Sequence, residues 1–150
     1  MPVSTVFIDS RSRNDEDSAF NYKLTFSDIG LPPFKNVTKI ELKAISFPKV
    51  QNEDYVLLKI NDLNTSFWTS DGATQQTDIF SVIYFDNSLM VDGVKKPAKG
   101  SDFYQKIVQL DGIYLSFFHI QYSLYNGQEV TVDKTNNIVE NSLVLEITHG

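Results

Sequence analysis

Residues 36–62, NVTKIELKAISFPKVQNEDYVLLKIND, constrain the fold more than any other stretch of the chain. Two runs of β-forming residues, 37–47 and 55–60, are separated by Pro48 and the polar cluster Gln51-Asn52-Glu53-Asp54. In the first run Ile40, Leu42 and Ala44 share one face, with Lys39, Glu41 and Lys43 on the other. At Ala44-Ile45 the apolar set changes face and continues through Ile45 and Phe47. Side chains alternate strictly along a strand, so a slip of one residue predicts a bulge or a change of partner strand. The second run, Tyr-Val-Leu-Leu-Lys-Ile, is apolar on both faces, as expected of a central strand covered from both sides. The two runs read as the core hairpin of an all-β domain.

The remaining chain extends this pattern. Residues 3–9 alternate weakly and predict a short strand at a sheet edge. In 19–27, Phe20, Tyr22, Leu24 and Phe26 oppose Asn21, Lys23 and Thr25, a clear strand. Residues 28–35 contain Gly30 and Pro32-Pro33, which cannot sit in a central strand, and read as a loop. A further strand, apolar on both faces, covers 78–86. Residues 87–101, with Asp92-Gly93, Pro97 and Gly100, read as a turn or long connection with room for a short strand at 89–91. In 102–110, Phe103, Ile107 and Leu110 have helical spacing behind Ser101 as a cap, though the run is short. The longest strand is expected over 113–124, turned by Asn126-Gly127 and returning through 129–132. Residues 142–148 close the domain with Leu143, Leu145 and Ile147 on one face. Roughly eight strands with regularly spaced turn signals predict a two-sheet sandwich. A single jelly roll suits this strand number, and an immunoglobulin-like sandwich shares the pattern.

Composition narrows the possible functions. The 150 residues, 41% of them hydrophobic, suffice for one well-packed domain. Without cysteine there is no disulfide framework, Cys-based zinc site or thiol nucleophile. No signal peptide and no stretch approaching the roughly 20 apolar residues of a membrane span is visible, which points to the cytoplasm or an assembly built there. A net charge of −6 argues against a protein that wraps nucleic acid through its phosphates.

Chemistry is hard to find. The acidic triplet Asp15-Glu16-Asp17 lacks the glycine and ligand spacing of a Ca²⁺ loop and reads as a solvated turn. Of the two histidines, His119 lies mid-strand and reads as packed or at an interface, while His149 sits where chain ends fray. No zinc, nucleophile-elbow or phosphate-loop motif is present, and the 19 Asp and Glu fall mostly at turns and polar faces. No enzyme, metal or cofactor is expected. Trp68 beside Phe67 suits a sugar-stacking platform, a partner anchor or a plug at the open end of a sandwich. Lys95, Lys96 and Lys99 form a small basic cluster, read as a solvated loop or an interface contact.

Three stretches together carry a family resemblance. They are Phe7-Ile8-Asp9-Ser10-Arg11-Ser12-Arg13-Asn14, Phe20-Asn21-Tyr22-Lys23-Leu24, and the spacing from Ile40 to Pro48 followed by residues 55–60. In this combination the chain resembles single jelly-roll capsid proteins of large double-stranded DNA viruses, virophages and polinton-like elements. Leu110-Asp111-Gly112-Ile113, Asn126-Gly127 and residues 143–147 fit the same pattern, whereas 64–100 match nothing in it. The resemblance implies a penton (vertex) or minor capsid protein in the virion, assembled in the host cytoplasm or a viral factory. Its implied partners are copies of itself in a five-membered ring and the major capsid protein, with no direct nucleic-acid contact. Loop aromatics such as Phe34, Trp68 and Phe103 are then expected at the contacts. The competing expectation is a carbohydrate-binding β-sandwich that uses Trp68.

Overall fold

The computed structural model describes residues 1–48, 53–63, 79–91, 94–97, 103–104, 107–130 and 139–150, by backbone alone at 86–91, 94–97 and 103–104. The described chain is all-β, and ten strands appear in order: β1 (Val3–Asp9), β2 (Asn21–Thr25), β3 (Phe34–Pro48), β4 (Tyr55–Ile60), β5 (Ile79–Val91), β6 (Val94–Pro97), β7 (Phe103–Tyr104), β8 (Ile107–Leu115), β9 (Phe117–Ser123) and β10 (Ser142–Thr148). A single turn of helix, α1 (Phe26–Ile29), and a 3-10 turn at Ser10–Ser12 interrupt them. Two antiparallel sheets result, ordered β1-β10-β3-β8 and β2-β9-β4-β5. The pairs nest: β1 with β10, β2 with β9, β3 with β8 and β4 with β5, as though one long hairpin were wrapped round a core. Along one side β6 bridges β3 and β5.

β3 makes this possible. Its first half pairs with β8 and β10, and its last residues, Phe47 and Pro48, pair with β6. Opposite Val144 and Leu145 the register jumps from Ala44 to Leu42, leaving Lys43 as the extra residue of a bulge. The slip in the sequence pattern thus corresponds to both a bulge and a change of partner. The crossing comes one position earlier than expected: Ala44 is exposed on the outer face, while Ile45 packs inward with Phe47. β4 lies between β5 and β9, with Val56, Leu58 and Ile60 in the main core. On its outer face Leu57 is buried with Ile79, Val82 and Tyr55 in a second cluster, so this strand is covered on both sides.

The main core draws on both sheets: Val6, Ile8, Ile40, Leu42, Leu143 and Leu145 from one, Tyr22, Leu24, Leu58, Phe118 and Ile120 from the other. Phe47 is fully buried at the seam. Its ring centroid lies 4.5 Å from Tyr122, 5.6 Å from Phe20 and 5.8 Å from Phe85.

Two expectations require correction. Residues 113–124 are not one strand, because the chain crosses between sheets at Ser116, whose carbonyl accepts from Phe26 N at 3.0 Å. Asn61 organises the arrival of β9: in the left-handed region at φ 52°, it donates from Nδ2 to Phe117 O and accepts His119 N on Oδ1. Where they are described, residues 103–104 and 107–110 are strand rather than helix, in β7 and the start of β8, and neighbouring strands offer partners that a short isolated helix lacks. Residues 87–91 and 94–97 are strand, a longer stretch than the short strand expected at 89–91.

β8 bends where Gly112, at φ 68°, meets Asn36, at φ 52°. A Cβ on Gly112 would come within 2.3 Å of Asn36 Oδ1, so both conformation and space demand glycine. Gly112→Ala is expected to destabilise the fold by about 1–3 kcal/mol. Phe47→Ala, which leaves a cavity between the sheets, should cost about 3–5 kcal/mol. Urea titrations of both variants check the order, with Phe47→Ala the more damaging.

Candidate interaction surface at the open edge

Among the described residues, β1 pairs only with β10, so its other side is open. Opposite it runs the segment that leads from β2 into β3. Gly30 caps α1 at φ 76°, and Leu31 N donates to Phe26 O at 2.9 Å, which ends the helix after one turn. Pro32-Pro33 lack backbone N–H groups and hold the next residues extended until Phe34 joins the sheet. Between β1 and this segment lies a groove of about 440 Å³. Val6, Ile8, Leu24, Ile29, Leu31 and Phe34 give it apolar walls, with Ser4, Thr5, Asp9 and Ser12 as polar points.

Each end of the groove is pinned. At one end His149 donates its backbone N–H to Pro2 O, its Nε2 lies 2.8 Å from Ser4 Oγ, and its ring sits 5.0 Å from Phe34. His149 is therefore tied down rather than frayed. At the other end the SRSRN segment is a hydrogen-bonded clasp. Ser10 is buried; its N–H donates to Asn141 O, its Oγ accepts from Asn141 N, and it donates to Glu140 Oε2. Arg13 reaches both Glu140 oxygens at 2.7 and 2.9 Å and the carbonyl of Ser10 at 2.8 Å. Asp9 accepts the backbone and guanidinium N–H groups of Arg11. That hydrogen bonding holds the Asp9 carboxyl below its usual range against an opposing effect of burial. For Glu140, burial alone would raise the value, yet the hydrogen bonds from Ser10 and Arg13 outweigh it and lower it.

The residues expected to function, where described, fall on different elements. Phe34, expected at a loop contact, is 6% exposed and packs edge-on to Phe26 at 5.7 Å, lining the groove from within the fold. Lys95 and Lys96 lie in strand β6, Lys95 opposite Phe47 and Met90, rather than in a loop. Phe103 belongs to β7 beside Ile83. Trp68 and Lys99 lie outside the described residues. His119 is half-buried with Nε2 2.8 Å from Asn21 Oδ1; burial, reinforced by Lys59 and Lys23, lowers its pKa. Among the described residues no three His, Asp or Glu side chains gather as a metal site. No helix among them is long and apolar enough to cross a membrane.

Sequence reading passed over the exposed apolar side chains at this edge. Phe7 is 66% exposed, Val3 53% and Ile29 38%. The available signal was that β1 carries apolar residues on both faces although only one face meets the core.

Carboxylates depressed by folding stabilise the native state above their unfolded pKa and lose that contribution as pH falls through the folded value. Thermal melts from neutral pH downward should therefore show stability falling below roughly pH 4, with a shallower acid-side fall in Glu140→Gln. An unchanged slope in that variant would contradict the clasp's role. Compared with known proteins, the chain matches no family model and no curated protein.

Proposed function

We propose that the chain is a structural protein of an icosahedral virus capsid, a single jelly roll that assembles with copies of itself into a vertex ring. The observation that carries this reading is the nesting of four antiparallel pairs, β1·β10, β2·β9, β3·β8 and β4·β5. Wrapping one long hairpin in this way interleaves early and late strands in each sheet, which is the jelly-roll arrangement of many coat proteins. An immunoglobulin-like sandwich pairs its strands in a different order. The capsid-like motifs at residues 7–14, 20–24, 40–48 and 55–60 fall on β1, its clasp, β2, β3 and β4, which belong to these nested pairs.

A ring needs two different surfaces on each copy, one meeting the other on the next. One candidate lies on β8, where Tyr114 is 62% exposed and Ile107 also presents apolar surface. The major capsid protein is the expected neighbour of the assembled ring.

Light scattering and negative-stain microscopy of the purified protein test the reading, with rings of five copies expected. Tyr114→Ser should shift the ring toward monomer by roughly 30-fold or more in concentration, the scale of a lost interface anchor. A monomer at high concentration that never enters particles would overturn the proposal.

A further inference from the structure

β1 is built unlike the other sheet edges. β2, which ends its sheet, has five residues and presents Lys23. β8 is bulged against β3 and carries Asp111 and Gly112. Short, charged or bulged edges discourage foreign strands from pairing. β1 keeps unbroken register with β10 over seven residues, and its only charge is Asp9 at the far end.

Its hydrogen-bonding groups point the right way. Pro2 O accepts from His149 N, and Ser10 N donates to Asn141 O. Both are even positions and no bulge intervenes, so even residues bond to β10 while the N–H and C=O groups of Val3, Thr5 and Phe7 face the open side. The apolar groove lies directly alongside, and its 440 Å³ is within the roughly 300–1,000 Å³ of ligand-binding clefts.

We propose that this edge docks an extended segment of another polypeptide, which adds as a strand beside β1. Every second side chain of the segment is aliphatic and enters the groove, and a lysine or arginine lies opposite Thr5. Main-chain bonds supply affinity in such strand addition, and pockets for alternate side chains supply specificity. The preference for a basic residue follows from the row beyond Thr5, which continues through Glu146 and Glu41 across the outer face. Glu41 is near Lys43, whereas Glu146 has no ion pair among the described residues. Thr5 is small enough for a long cationic side chain to reach over it. A second copy's β1 fits less well, because its Val6 and Ile8 are buried in their own core and cannot fill this groove.

The test uses the full chain and two short blocked peptides, one alternating valine with lysine and the other valine with glutamate. The lysine peptide is expected to bind saturably and to slow amide exchange at Thr5 and Phe7. Binding should weaken at least about tenfold for the glutamate peptide and for Thr5→Pro. Thr5 donates nothing to β10, so proline at this edge position removes the outward N–H and leaves the sheet intact. Melting reports that directly. Should Thr5→Pro fail to fold, Ile29→Trp fills the groove from its rim and is expected to weaken binding likewise.

Equal binding by folded Thr5→Pro, or no binding of the lysine peptide at millimolar concentration, overturns the proposal. Concentration-dependent pairing without peptide, abolished by Thr5→Pro, would assign the edge to a second copy and overturn the chosen occupant. Light scattering on the same samples reports ring formation separately, so failure here and failure of the capsid reading are distinguishable.

Discussion

One extra residue in β3 holds the two sheets together. A strand that kept strict alternation from Ile40 onward would turn Ile45 and Phe47 to solvent. Lys43 absorbs the phase error as a bulge, so Ile40 and Leu42 before it and Ile45 and Phe47 after it all face inward. Phe47 then reaches Tyr122 on the opposite sheet as well as Phe20 and Phe85. The bulge leaves one charged side chain without a strand partner and keeps a fully buried aromatic in place. Burying a Phe-sized side chain contributes about 1.5–3 kcal/mol, more than a surface lysine at a bulge puts at risk.

Polar residues do comparable work where strands end. Buried backbone groups must find partners, and the cost of failing is about 1–3 kcal/mol each. Asn61 satisfies two such groups of β9 with one amide, and Ser10 with Asn141 closes the end of the β1–β10 ladder. Asn141 also donates to Ala19 O, tying the clasp to the start of β2. The SRSRN segment thus has a structural reason for its polar composition: Arg13 and Ser10 hold Glu140 in place beside β10.

Strand positions were legible in the sequence more widely than the phase of their side chains. β1, β4 and β10 appear with the bounds expected, and alternation in β2 placed Tyr22 and Leu24 correctly in the core. Where both faces are apolar, periodicity loses its phase. In 113–124, strict alternation puts Tyr114 on one face with Phe118 and Ile120, yet it is exposed while Leu115 is buried. Two consecutive strands in different sheets looked like one because nothing polar except Ser116 marked the crossing. Phe103, Ile107 and Leu110 mimic helical spacing for a related reason: a two-residue strand and a bulged one have no clean period of their own. The groove was illegible, since it forms from β1 and a proline-held segment that meet only in three dimensions.

The pairing of β1 with β10 also has a consequence in time. Ser4 and His149 touch across a sequence separation of 145, so β1 meets its partner β10 only after the chain between them has been made. At ribosomal speeds of about 5–20 residues per second, β1 waits roughly ten seconds or more with both edges bare. Such non-local closure also slows folding relative to chains of local contacts. During that interval an apolar strand without lysine or proline is open to pairing with other chains unless a chaperone covers it.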